Sequence, residues 1–269
     1  MTILVLGATG KTGRRVLRRL RDSGVETRAA SRTAETRFDW EDPASWADAV
    51  RGVEAVYLVA PDDPAPIAGF VEQAVAAGVR RFVVLSGRGM EHADGRFGAG
   101  MAEAERAVQA AGVTWTIIQA ANFDQNFDED LWHAPLLAGR LALPAAGVVE
   151  RFVDLEDVAE VAAVLLTEPG HEGRIHEVAG PDVLTFGDAV EAIAAASGRS
   201  ISYVDVSPAE YEADLVAEGW PPEVAAELSA MFDVLRDADL GKPADGVEQV
   251  LGRTATPFAD YVARVWRAG

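Results

Sequence analysis

Three glycines set three residues apart, Gly7, Gly10 and Gly13, follow directly on an apolar run, Ile3-Leu4-Val5-Leu6. That spacing suits one kind of chemistry, because it clears side chains from a turn so that a phosphate can reach the backbone. Gly7 would allow the tight turn, Gly10 would admit a pyrophosphate, and Gly13 would let the next helix lie close to the strand. Val16, Leu17 and Leu20 mark one face of that helix, with Arg14, Arg15, Arg18 and Arg19 on the other. Its free N–H groups would face the phosphates, with Thr9, Lys11 and Thr12 as further contacts between the glycines. Strand, glycine turn and amphipathic helix together are the context of a dinucleotide-binding loop; the bland alternative is a glycine-rich turn with no ligand.

The end of the second strand, residues 25–30, discriminates between cofactors. A site for NAD places Asp or Glu there to accept from the ribose 2′-hydroxyl. Here the residues are Ser31 and Arg32, a hydroxyl and a guanidinium that favour a 2′-phosphate, with Lys11 available as a second cation. The expected cofactor is therefore NADP(H), against the plain reading of Arg32 as a surface arginine. A fourth strand over 54–60 ends at Val59-Ala60-Pro61, and residues at the carboxyl ends of parallel strands border the ligand crevice. The glycine-rich stretch Gly87–Gly100, with His92 inside it, is expected to be a mobile loop over the site.

Alternation of strand-length apolar runs with helical stripes over most of 269 residues implies an α/β fold, a Rossmann-type doubly wound parallel sheet with a smaller C-terminal α/β lobe. The expected division is 1–180 for the dinucleotide-binding part, with 120–150 serving the substrate side, and 181–269 for a substrate or lid lobe that does not fold alone. A hydrophobic fraction of 49% is ample for a core, and the absence of cysteine excludes disulfides and thiolate chemistry. His92, His133, His171 and His176 lack metal-ligand spacing, so no metal is expected. The net charge of −19 disfavours nucleic acid and anionic membrane. With no charged leader or long apolar stretch, the chain reads as soluble and cytoplasmic. Within residues 1–40, nine cations face four carboxylates. That local surplus suits a polyanionic small ligand, although Arg14, Arg15, Arg18 and Arg19 read as the solvated face of the first helix.

The wording Gly-Ala-Thr-Gly-Lys-Thr-Gly resembles the NmrA-like group of atypical short-chain dehydrogenases. The resemblance places a catalytic serine beside the nicotinamide at Ser86, which on its own reads equally as a strand cap. It places Asp39 beside the adenine, where an unaided reading sees a turn or capping carboxylate. It gives the Asn122-Phe123-x-x-Asn126 element the substrate side of the nicotinamide, with Asn122 next to the chemistry. Gln119 and Ala120 depart from the Arg and Pro usual just before it. Gly87, His92, Phe123, Asn126, Phe127 and His133 are the expected substrate contacts, with core packing the competing account of Phe123 and Phe127. The Phe152-Val153-Asp154 stretch is structural in that group, and Asp154 and Asp157 read as helix-start carboxylates. The Tyr-x-x-x-Lys pair of ordinary short-chain dehydrogenases is absent: Tyr57, Tyr203, Tyr211 and Tyr261 are followed four places on by Pro61, Ser207, Leu215 and Val265. Two functions fit: a reductase passing hydride from NADPH to a small cyclic or conjugated acceptor, or an NADP(H)-binding regulator without turnover. Oligomeric state is not legible in the sequence.

Overall fold

The computed structural model describes residues 1–93 and 95–267. The first half runs β1 (Thr2–Leu6), α1 (Gly13–Asp22), β2 (Glu26–Ser31), β3 (Thr36–Arg37), α2 (Trp46–Val50), β4 (Ala55–Val59), α3 (Ile67–Ala76), β5 (Arg81–Gly87), α4 (Ala99–Ala110) and β6 (Thr114–Ala120). It continues through α5 (His133–Leu137), β7 (Arg140–Leu143), β8 (Val149–Glu150), α6 (Leu155–Thr167), β9 (Arg174–Val178), β10 (Leu184–Thr185) and α7 (Phe186–Ser197). The last elements are β11 (Ser202–Asp205), α8 (Pro208–Ala217), α9 (Pro222–Asp237), α10 (Gly246–Leu251) and α11 (Phe258–Val265).

Seven strands form one parallel sheet in the order β3-β2-β1-β4-β5-β6-β9. Both faces are covered, as a parallel sheet requires. Ile3 and Val5 point to a core shared with α1, α6 and α10, while Leu4 and Leu6 point to one shared with α2, α3 and α4. The order reverses between β1 and β4, which opens a crevice at the carboxyl ends of those strands.

A second apolar body holds Phe127, Trp132, Phe152, Phe186, Phe232 and Phe258. It is roofed by two small ribbons, β7 with β11 and β8 with β10. Its residues come both from 127–152 and from beyond 184, and the chain later returns to the sheet, where Val247 of α10 is buried in the first core. The two bodies are therefore interleaved in sequence.

Of the α1 arginines expected on a solvated face, Arg14 and Arg18 are exposed and Arg19 half-buried, but Arg15 is not on it. Arg15 is buried, its Nη2 2.5 Å from Glu129 Oε1 and its Nε 3.2 Å from Glu156 Oε1. Arg14 pairs with Glu129, and Arg18 and Arg19 with Glu156. Carboxylates far along the chain thus clamp α1 to α6 and to the segment before α5. The two carboxylates also offset part of the positive surplus of the N-terminal region.

Asp154 caps α6 by accepting from Glu156 N–H at 2.9 Å, and Arg264 donates to its other oxygen at 2.5 Å. Asp157 accepts from Arg253 and from Thr256 N–H. Both are structural anchors for the C-terminal segment. Asp124 beside them is fully buried with neither carboxylate oxygen paired. Burial, aided by Asp154 and Asp157, holds its pKa well above the usual carboxylate range. The folded state then keeps this proton to higher pH than the unfolded chain does. Its contribution is fully present below the unfolded aspartate range and is lost as pH rises through the folded pKa. Asp124→Asn should therefore gain on the parent protein by about 1.4 kcal/mol per pH unit across that window. Thermal unfolding at a series of pH values checks this, and parallel profiles for the two proteins would refute it.

Candidate active site

The glycine loop is a tight turn that opens onto the start of α1. Gly7 takes a positive φ of 62°, and Gly10 N–H donates to Gly7 O at 2.8 Å to close the turn. A Cβ at Gly13 would lie 2.2 Å from Gly7 O, so α1 begins where only hydrogen fits. No side chain caps α1 and no acid stands in its first turn, which leaves its N–H groups and dipole to an anion. Ser31 ends β2 beside this loop and accepts from Thr9 Oγ1 and from Thr33 N–H, each at 3.2 Å. Arg32 is exposed next to it and, among the described residues, has no hydrogen bond or ion pair. No carboxylate takes the β2-end position, so the residues present fit a phosphorylated ribose better than a free 2′-hydroxyl. Asp39 lies beyond β3 in a turn of its own, its Oδ1 accepting from Glu41 N–H at 3.2 Å and its carbonyl from Trp46 Nε1 at 2.9 Å.

Lys11 turns the other way. Its ammonium bonds Asn126 Oδ1 at 2.5 Å, pairs with Asp130, and lies 5.3 Å from the centroid of the Phe123 ring. It serves the wall opposite the loop rather than the ribose side where a second cation for the 2′-phosphate was expected.

That wall belongs to a cavity of about 330 Å³ at the switch point. Val59, Ala60 and Pro61 enter it from the end of β4, and Ser86 and Gly87 from the end of β5. Asn122, Phe123 and Asn126 face them from the segment after β6. Met90, Phe97 and Met101 close one side, and Met231, Leu235 and Glu227 of α9 close another. Ser86 is 3% exposed, and its Oγ is buried without a partner, a hydroxyl free to meet a bound molecule.

Three expected contacts lie elsewhere. Phe127 is fully buried against the rings of Trp132, Phe152 and Phe258, where core packing wins. His133 opens α5 and sets its ring 5.9 Å from that of Trp266, outside the cavity. His92 closes a short 3-10 turn and faces a separate polar crevice with Glu177, Asp239 and Lys242. The stretch from Gly87 to Gly100 contains that turn and the first residues of α4; Asp94 lies outside the described residues. Arg88 anchors its start, donating to Glu177 Oε2 at 2.9 Å and to Leu240 O and Lys242 O at 3.3 Å.

Among the wall residues that the sequence did not mark is Glu150. It is fully buried in β8 yet forms part of the cavity wall. Its Oε2 accepts from Asn122 Nδ2 at 2.8 Å and its Oε1 from Arg151 N–H at 2.7 Å. Burial, the largest influence, raises its pKa despite those bonds and the field of Arg88. No local pattern marked it, since β8 is two residues long and exists only by pairing with β10.

The model of the NmrA-like family matches residues 1–262. The chain belongs to the NmrA-like family. Among relatives, it is 33% identical to the (4-alkanoyl-5-oxo-2,5-dihydrofuran-3-yl)methyl phosphate reductase of Streptomyces griseus, over 97% of this chain and 96% of the relative. It is 29% identical to the NAD(P)H azoreductase of Xenophilus azovorans, over 96% of each chain. Among solved structures, the NADPH-dependent quinone oxidoreductase of Escherichia coli complexed with NADPH superposes with a TM-score of 0.84 at 21% identity. The match covers 99% of this chain and all of the other, and shows that this NmrA-like chain has the same fold. Among the described residues, no helix is long and apolar enough to cross a membrane.

Proposed function

We propose that the protein is an NADPH-dependent reductase that passes hydride to a small cyclic or conjugated acceptor such as a quinone, enone, ketone or imine. The observation that carries this reading is the cavity at the carboxyl end of β5. It is closed on the far side by α9, and a free serine hydroxyl stands among walls rich in methionine and phenylalanine. Small-molecule sites have this character, mostly apolar with a few aimed polar groups. Reductase activity agrees with the names of the relatives, an NAD(P)H azoreductase and a (4-alkanoyl-5-oxo-2,5-dihydrofuran-3-yl)methyl phosphate reductase.

The cofactor, when bound, supplies the hydride. The chain supplies position. Gly10, Gly13 and the start of α1 receive the pyrophosphate, Ser31 and Arg32 the 2′-phosphate, and Val59, Ala60 and Pro61 border the inner ribose. Asn122 and Phe123 hold the acceptor across from Ser86, and holding reactants in register removes a large entropic part of a barrier. Methionines at 90, 101 and 231 adapt to acceptors of differing outline.

Fluorescence titration should show NADPH binding more tightly than NADH. Arg32→Ala should weaken NADPH about tenfold, as for loss of one exposed charge-assisted bond, and leave NADH unchanged. NADPH should be oxidised in the presence of at least one quinone, enone or imine. Equal affinity for the two nucleotides would refute the cofactor assignment. Tight binding without turnover across a broad acceptor panel would favour an NADP(H)-dependent regulatory protein instead.

A further inference from the structure

We propose that Glu150, as a neutral carboxylic acid, donates the proton that accompanies hydride transfer in this cavity. The proposal rests on the reductase reading and assigns a role that the missing Tyr-x-x-x-Lys pair leaves open. None of the four tyrosines lines the cavity. Tyr57 is buried in the sheet core, Tyr211 lies in the second apolar body, and Tyr203 and Tyr261 bond Asp205 and Asp128.

Burial raises the Glu150 pKa and so favours its protonated form. Two arginines lie near, and both are committed elsewhere: Arg88 to Glu177 and two carbonyls, Arg151 to Gly241 O at 2.9 Å and Pro181 O at 2.7 Å. No cation among the described residues is ion-paired to Glu150, and burial without such a partner favours the protonated form over the charged one. Lys11, Asp62, Arg88, Asp130 and Glu227 also face the cavity. Of these, Lys11 is held by Asp130, and Asp62 is exposed.

The hydrogen bonds then aim the acid. Oε1 of Glu150 accepts from Arg151 N–H, and Oε2 from Asn122 Nδ2 and, at 3.5 Å, from Asn122 N–H; none of these donors can receive its proton. A directed chain leads to it: Lys11 donates to Asn126 Oδ1, Asn126 Nδ2 to Asn122 Oδ1 at 3.5 Å, and Asn122 Nδ2 to Glu150 Oε2. Asn122 is on this account a positioning residue for Glu150. Glu150 is among the residues lining the cavity, and in this role its O–H meets the acceptor there.

In the balanced step the acceptor's electrophilic carbon gains hydride from the reduced nicotinamide, which is oxidised. The displaced π pair moves to the acceptor's oxygen or nitrogen, and the Glu150 O–H bond breaks to protonate that atom. The carboxylate left behind recovers its proton from solvent. A cationic acceptor, such as an N-alkyl iminium, needs the hydride alone.

Glu150→Gln keeps an acceptor for Asn122 and removes the acid. The infrared difference between the parent protein and this variant, without cofactor at neutral pH, should show loss of one protonated-carboxyl C=O stretch. Turnover of neutral quinones or enones should fall about 100-fold or more, while reduction of an iminium stays within about twofold. Absence of the infrared difference, or equal effects on both acceptor classes, would overturn the proposal. Should the glutamine variant not fold, Glu150→Asp must show the same selectivity in weaker form, and an unchanged ratio of the two rates would overturn it equally. If the parent protein reduces neither class, the reductase reading fails and the donor role with it. The infrared result would then still report whether Glu150 is neutral.

Discussion

Gly13→Ala should be the most disruptive single methyl group that the loop can receive. The added carbon would sit 2.2 Å from Gly7 O, 2.7 Å from Gly7 C and 3.0 Å from Ala8 Cα. All three are backbone atoms of the turn, so no side chain can swing away. The helix must lift off β1, and Val16, Leu17 and Leu20 lose packing with it. Overpacking at a site that cannot relax costs about 3 kcal/mol, equivalent in a chain of this length to a fall in Tm of roughly 5 °C. Calorimetry checks it. A Tm within a degree or two of the parent would show that the loop is softer than its contacts imply.

Gly10→Val should give the opposite pairing of effects. Gly10 is exposed, its φ is not positive, and an added Cβ would meet only Gly7 O at 3.2 Å. The fold should tolerate it at a cost below about 1 kcal/mol. The valine methyls, however, would occupy the cradle in front of α1 that the pyrophosphate needs. NADPH affinity should drop at least about 100-fold, near 3 kcal/mol, in a protein whose Tm barely moves. Retained affinity in a folded variant would move the nucleotide site away from this loop.

These two glycines also mark what the sequence reveals readily. A strand, a spacing of three and a 3.6-residue stripe are local patterns, and β1, the turn and α1 lie where they indicate. The β5 terminus is similarly local, so Ser86 was legible. Arg15 was not, because the carboxylates that bury it stand 114 and 141 residues further along. β7, β8 and β10 are short and owe their existence to distant partners, which hid Glu150 with them. Phe127 and His133 show another limit. A residue type can suggest a contact, but whether its ring turns to the cavity or to the core is settled by packing across the whole second body.

The interleaved cores bear on how the protein is synthesised. Phe127 and Phe152 leave the ribosome well before Phe258, whose ring they pack against. At ordinary elongation rates that gap lasts on the order of ten seconds. Through it the growing chain can complete much of its sheet, but the aromatic cluster that also takes in Phe186 and Phe232 still lacks its final member. The nascent chain therefore carries an open apolar face beside an already formed nucleotide crevice, a surface suited to chaperone capture until α11 arrives to cover it.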